Sequence, residues 1–155
     1  MEHIRFTRAV LLATALLSAA VAPALAVPST PDQAKALVQD AVAYLKAKGP
    51  AEAAKAFNDP KGGFVRQDLY VFVFDKTGHY VASGGNPKLT GQDAATLTDA
   101  EGKPIVQEMM KATAANPASV VEYVWLNRAS NKVEHKHSYV VREGDYLVGS
   151  GYYTE

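Results

Sequence analysis

The chain has 155 residues, with 16 Lys and Arg against 16 Asp and Glu, and hydrophobic residues make up 48% of it. That length suits one domain with an ordinary core, and the balanced charge offers no cationic footprint for a phosphate backbone, so no nucleic-acid partner is expected. The absence of cysteine removes disulfides, thiolate metal sites, iron–sulfur clusters, covalent c-type haem and cysteine nucleophiles together.

Residues 1–26 read as an export signal. Arg5 and Arg8 precede an apolar run from Ala9 to Ala22, Pro23 breaks it, and Ala24-Leu25-Ala26 supplies the small-x-small pattern of a signal-peptidase site. The run is shorter than the roughly 20 residues that a helical membrane span needs, so a retained anchor is the weaker reading. Cleavage after Ala26 leaves one domain, Val27–Glu155, with no later stretch apolar enough to span a membrane. The style of the signal and the absence of cysteine point to a bacterial periplasm.

Thr30-Pro31-Asp32-Gln33 forms a capping box with proline at the first helical position, and Ala34, Leu37, Val38, Ala41, Tyr44 and Leu45 then recur at helical spacing. Gly49 ends this helix and Pro50 opens a short second one that stops near Asn58-Asp59-Pro60. Leu69–Asp75 is dense in β-branched and aromatic residues without polar alternation, which predicts a central strand buried on both faces. Asp75-Lys-Thr-Gly78 is a turn, returning through His79–Ala82. Residues 83–103 carry five glycines and prolines and little periodicity, the mark of a binding loop or of short hidden helices. A helix follows Pro104, with Ile105, Val106, Met109, Met110 and Thr113 inward. Strands at Ser119–Leu126, Lys132–Arg142 and Tyr146–Tyr152 complete an α+β domain with a five-stranded antiparallel sheet.

The hairpin SVVEYVWLNRASNKVEHKHSYVV holds the densest chemistry. Alternation puts Tyr123 and Trp125 on one face, and it groups Glu134, Lys136 and Ser138 on one face of the next strand and His135, His137 and Tyr139 on the other. If Lys136 shares the face of Tyr123 and Trp125, an aromatic-lined cavity gains a fixed cation that a carboxylate ligand would meet. Otherwise Lys136 is a surface residue beside core aromatics, and register cannot be read from spacing alone. His135 and His137, with His79, could ligate a metal, but no carboxylate is fixed beside them, so no metal is expected. Met109-Met110 with Ile105 is core filler or a ligand wall. Gly149-Ser150-Gly151 lacks the nucleophile-elbow spacing and fits a strand whose missing side chains admit a close neighbour. No phosphate-binding or dinucleotide motif appears, no cofactor is called for, and no acid–base pair asks for an enzyme.

The blocks FNDPKGGFVRQDLYVFVFD, GHYVASGGNPKLTGQD, DAEGKPIVQEMMKA, YVWLN, KVEHKHSYV and YLVGSGYY, in this order, resemble the single Cache domain, the extracellular sensor module of many bacterial chemoreceptors and histidine kinases. The resemblance runs from about Leu37 to Tyr153 and is closest to the subgroup found alone behind a signal peptide. It implies a PAS-like sheet with a long N-terminal helix on one face and a small-molecule pocket on the other, covered by the loop and helix before the third strand. It also implies a small organic acid as ligand, Tyr70, Phe72, Met109, Tyr123 and Trp125 as walls, Lys136 as counter-ion, and Ser138 and Asn86 as hydrogen-bonding groups. A membrane-bound sensor kinase, chemoreceptor or transporter would be the protein partner, and pairing into a homodimer stays open. An accessory subunit with an empty cavity, or an enzyme using His135 or His137 as base, are the alternatives. His135 and His137 depart from the smaller residues usual in the family.

Overall fold

The computed structural model describes residues 27–154, so the export signal expected over residues 1–26 lies outside the described residues. Helix α1 (Pro31–Asn58) starts as expected. The Gln33 amide N–H donates to Thr30 Oγ1 (3.3 Å) while the Thr30 N–H donates to Gln33 Oε1 (2.8 Å). Gly49 at φ +78° kinks the helix ahead of Pro50, giving the two helical segments the sequence predicts.

The strands are β1 (Val65–Arg66), β2 (Leu69–Tyr70), β3 (Phe72–Asp75), β4 (Tyr80–Ser83), β5 (Ala118–Asn127), β6 (Lys132–Glu143) and β7 (Tyr146–Thr154), with α2 (Ile105–Ala115) between β4 and β5. A five-stranded antiparallel sheet runs in the order β4-β3-β7-β6-β5, and β1 and β2 form a separate small ribbon. One expectation is corrected. The apolar run Leu69–Asp75 is not one strand, because the Val71 N–H donates to the Phe64 carbonyl and interrupts the sheet pairing between β2 and β3. Its β3 part is an interior strand as expected, flanked by β4 and β7. Burial on both faces holds all the same, for Leu69 through Phe74 are all buried.

The sheet separates two cores. Leu37, Val38, Ala41 and Phe57 of α1 pack against Val71, Val73 and Val148 on one face. On the other, Tyr70, Phe72, Phe74, Val140 and Leu147 meet Ile105, Val106 and Met109 of α2. The outer edge of β5 is covered by the preceding loop. Asp99 accepts from the Val124 N–H (3.0 Å), and Lys103 Nζ donates to the Glu122 carbonyl, so edge groups that would otherwise template another chain are paired. Among the described residues no helix is long and apolar enough to cross a membrane.

Candidate functional site

The register settles which face Lys136 takes. Tyr123 pairs with Lys136 and Trp125 with Glu134, while Lys136 pairs on its other side with Tyr153, so all these side chains share the α2-facing side of the sheet. The surface alternative fails, because Lys136 is fully buried.

A cavity of about 290 Å³ opens on that side, between the sheet, α2 and the loop of residues 83–103. Tyr70, Phe72, Asn86, Met109, Tyr123 and Trp125 line it. Lys136 and Ser138 do not line it; they lie one layer behind. Ser138 Oγ and Tyr123 Oη are 3.0 Å apart and hydrogen-bonded. The Lys136 ammonium sits 3.8 Å from the Tyr70 ring centroid, 5.0 Å from Tyr153 and 5.7 Å from Phe72, with no hydrogen-bond partner. The carboxylate that bears on it is Asp68, whose oxygens already accept from the Ser29 amide and hydroxyl. Burial therefore pulls the Lys136 pKa below the usual lysine range. The Tyr70 phenol offsets that burial most, Asp68 adds a smaller attraction, and the ring faces contribute as cation–π partners.

Small residues make this arrangement fit. A Cβ on Gly149 would run into the tip of the Phe72 ring, as the close-neighbour reading of Gly149-Ser150-Gly151 expects. At Gly85 a Cβ would stand 2.7–2.9 Å from three Tyr70 ring carbons, so the Gly-Asn-Pro loop closes directly onto Tyr70. Burial raises the Tyr80 phenol to about 12 and pushes Tyr123 well above its ordinary value, so both are neutral at physiological pH.

Sequence reasoning missed Phe74, Tyr80, Leu89, Gln92, Asp93, Leu97 and Arg128 among the lining residues. Phe74 continues the two-residue period of Tyr70 and Phe72 and was findable. Those from the loop carry no period. His135 and His137 lie on the opposite face, where their Nδ1 atoms are 3.1 and 3.7 Å from the Glu122 carboxylate. Among the described residues no group of three or more His, Cys, Asp and Glu is arranged to hold a metal ion.

An antiparallel sheet with a long helix on one face and a loop-and-helix-covered cavity on the other defines an α+β ligand-binding domain of PAS-like build. The model of the family described as single Cache domain 2 matches residues 6–155, and the chain belongs to that family. Its members are sensor domains that bind ligands rather than catalyse, and the likenesses agree. A periplasmic sensor domain of a chemotaxis protein is similar at 27% identity over 80% of this chain and 90% of that one, with a TM-score of 0.63. A Cache chemosensory domain, whose structure concerns carboxylic acid recognition, is similar at 26% identity over 80% and 92%, with a TM-score of 0.66. A methyl-accepting chemotaxis protein from Vibrio parahaemolyticus RIMD 2210633 shares the fold at 19% identity over 79% and 86%, with a TM-score of 0.69. No curated protein matches the chain.

Proposed function

We propose that the protein is a periplasmic sensor-type binding domain for a small carboxylate, exported by residues 1–26 and acting as Val27–Glu155. The observation that carries this reading is the Lys136 ammonium, fully buried and without a hydrogen-bond partner immediately behind an aromatic cavity. An unpaired buried cation is a standing cost that an entering anion would relieve. The acid enters at the Tyr70–Tyr123 end, Tyr70 turns from the ammonium, and the carboxylate takes its place. Asn86 and the Tyr123–Ser138 pair supply further hydrogen bonds, and Phe72, Met109 and Trp125 form the walls. The carboxylic acid recognition described for one similar Cache domain supports the ligand class. The occupied state is read by a membrane-bound sensor kinase, chemoreceptor or transporter.

The test is calorimetric titration of the purified protein with a panel of small monocarboxylates, amines and amino acids, repeated with Lys136→Met. Acid binding lost in the variant supports the reading; acid binding unchanged in it removes Lys136 from the site.

A second reading, an accessory docking subunit, draws on the β5–β6 hairpin, where Val120, Leu126 and Val133 expose 60%, 42% and 61% of their surface. Co-elution with a membrane partner, and no stabilisation by any small molecule, would favour it.

A further inference from the structure

The cavity has two chemically different ends, and the sheet register fixes which is which. Inward positions along β6 run Lys136, Ser138, Val140 and Arg142, and they pair through β7 with Tyr153, Gly151, Gly149 and Leu147. Phe72 lies opposite Gly149 and Phe74 opposite Leu147. The Lys136 end is therefore the end of Tyr123, Trp125 and the β5–β6 turn, and the Phe74 end is remote from it.

The charges follow the same axis. Arg128, exposed in the β5–β6 turn, lines the cavity, makes no ion pair among the described residues, and is close enough to repel the Lys136 ammonium. One end thus has a cation at its rim, Arg128, and another behind its wall, Lys136. At the other end the lining is Phe74, Tyr80, Ala94, Leu97, Ile105 and Met109. The cation on that side, Arg142, is turned into the last turn of α2, donating to the Met110 carbonyl and Thr113 Oγ1 at 3.1 Å each, and does not line the cavity.

One carboxylate stands at the apolar end. The Asp93 backbone pairs with that of His79, next to Tyr80, in an isolated antiparallel β-bridge, and its side chain lines the cavity. Its Oδ1 accepts from the Ala95 amide (2.8 Å), and the side chain is exposed, so the charge stands at the cavity mouth. A second carboxylate on the ligand would meet it.

Size points the same way. A cavity of about 290 Å³ has room for roughly ten water molecules at about 30 Å³ each. A two- or three-carbon acid would leave most of that space as water against aromatic walls. A compact apolar group would fill it and displace that water.

We infer that the ligand is a monocarboxylate carrying an aromatic or branched apolar tail, its head at the Lys136–Arg128 end and its tail between Phe74, Tyr80, Leu97 and Ile105. This rests on the carboxylate reading above and narrows it to a class. Tail burial sets affinity, the paired cations set head orientation, and Asp93 rejects acids charged at both ends.

Four matched probes test it by calorimetry on the wild-type protein: propionate, 3-phenylpropionate, 3-phenylpropionamide and 3-(4-carboxyphenyl)propionate. The expected order has 3-phenylpropionate at least tenfold tighter than propionate and at least tenfold tighter than the dicarboxylate. Asp93→Asn should narrow the second gap while leaving the first unchanged. Leu97→Trp, checked for folding by circular dichroism, should weaken 3-phenylpropionate and spare propionate. Propionate binding as tightly as 3-phenylpropionate would overturn the tail assignment and leave the carboxylate reading standing. A dicarboxylate equal to 3-phenylpropionate would overturn the role given to Asp93. Binding of 3-phenylpropionamide as tight as that of the acid, undiminished in Lys136→Met, would refute the carboxylate reading itself and this inference with it.

Discussion

Lys136→Met should stabilise the unliganded protein. The side chain is fully buried and its ammonium has no hydrogen-bond partner. The effective penalty for such an ion is several kcal/mol after relaxation. Against this stand the Tyr70 face at 3.8 Å, about 2 kcal/mol when desolvated, and the more distant rings of Tyr153 and Phe72, at most about 1 kcal/mol each. Methionine keeps the apolar stem and nearly the same volume, so packing changes little. The balance favours methionine by about 1–2 kcal/mol, which for a domain of this size is a melting-point rise of roughly 3–8 °C.

The assay is urea unfolding of the dialysed protein and the variant between pH 6 and 10. Burial lowers the folded-state pKa of Lys136 below its ordinary 10.5. Between the folded and unfolded values the unfolded chain holds a proton that the folded one has released, so wild-type stability rises with pH through that window. The variant lacks this term, so its advantage should shrink as pH climbs toward 10.5. Above pH 10 the comparison mixes with tyrosine ionisation, since Tyr80 is held up to about 12 when folded and titrates earlier when unfolded. Saturating acid should reverse the order, because ligand at a hundred times its dissociation constant adds about 2.7 kcal/mol to the wild type alone. A variant at least 2 kcal/mol less stable than the wild type at pH 7, with no pH dependence in the difference, would refute the reasoning. Tyr70 and Asp68 would then already compensate the ammonium in full.

Other substitutions report on the scaffold. Asp99 accepts from the amides of Val124, Glu101 and Lys103 at 3.0, 2.9 and 2.8 Å, so Asp99→Ala should cost about 1–3 kcal/mol in chemical denaturation. These bonds, working against burial, hold the Asp99 carboxyl below its ordinary 3.8. Its contribution is therefore complete above that pH and lost as pH falls toward the folded value, and an acid titration of Asp99→Asn should show a shallower loss than the wild type. Gly149→Ala drives a methyl into the Phe72 ring and should cost about 1–3 kcal/mol, read as a lower urea midpoint. Gly49→Ala has open space around it but φ +78°, so a loss of about 1–2 kcal/mol at an unchanged denaturant slope would isolate backbone strain.

Local punctuation made most of the fold readable. The capping box at Thr30, the break at Gly49-Pro50 and the turns after Asp75 and Glu143 are chemical instructions carried by adjacent residues. The break at Val71 was hidden because it depends on the Phe64 carbonyl, a partner seven residues away, while the run from Leu69 to Phe74 looks uniform. Within the site, alternation grouped Tyr123 with Trp125 and Lys136 with Ser138, and the family resemblance supplied the pocket face. Depth was not legible. Whether Lys136 reaches the cavity or stops behind Tyr70 depends on how the ring of one strand lies over the side chain of another. Arg128 and Asp93 were invisible for a related reason: a turn and an irregular loop have no period from which facing can be counted.

The two faces of the sheet differ in a way that explains why the cavity is where it is. Against α1, helical periodicity meets strand periodicity, and Leu37, Val38, Ala41 and Phe57 fill the space against Val71, Val73 and Val148. On the opposite face, α2 is short and the remaining cover is a loop whose backbone is paired in turns and isolated bridges, so side-chain volume there need not match the sheet. Gly149 and Gly151 lower the floor further, giving Phe72 and Ser138 room to lie close to the strand. Nothing in that packing needs a charge at position 136, since a methionine would fill the same volume without the desolvation cost. The buried ammonium weakens the unliganded domain although Tyr70 and Asp68 bear on it, and the carboxylate proposed above would add a direct counter-charge. That dependence makes occupancy of the cavity a change in the energy of the whole sheet, because Lys136 pairs with both Tyr123 of β5 and Tyr153 of β7.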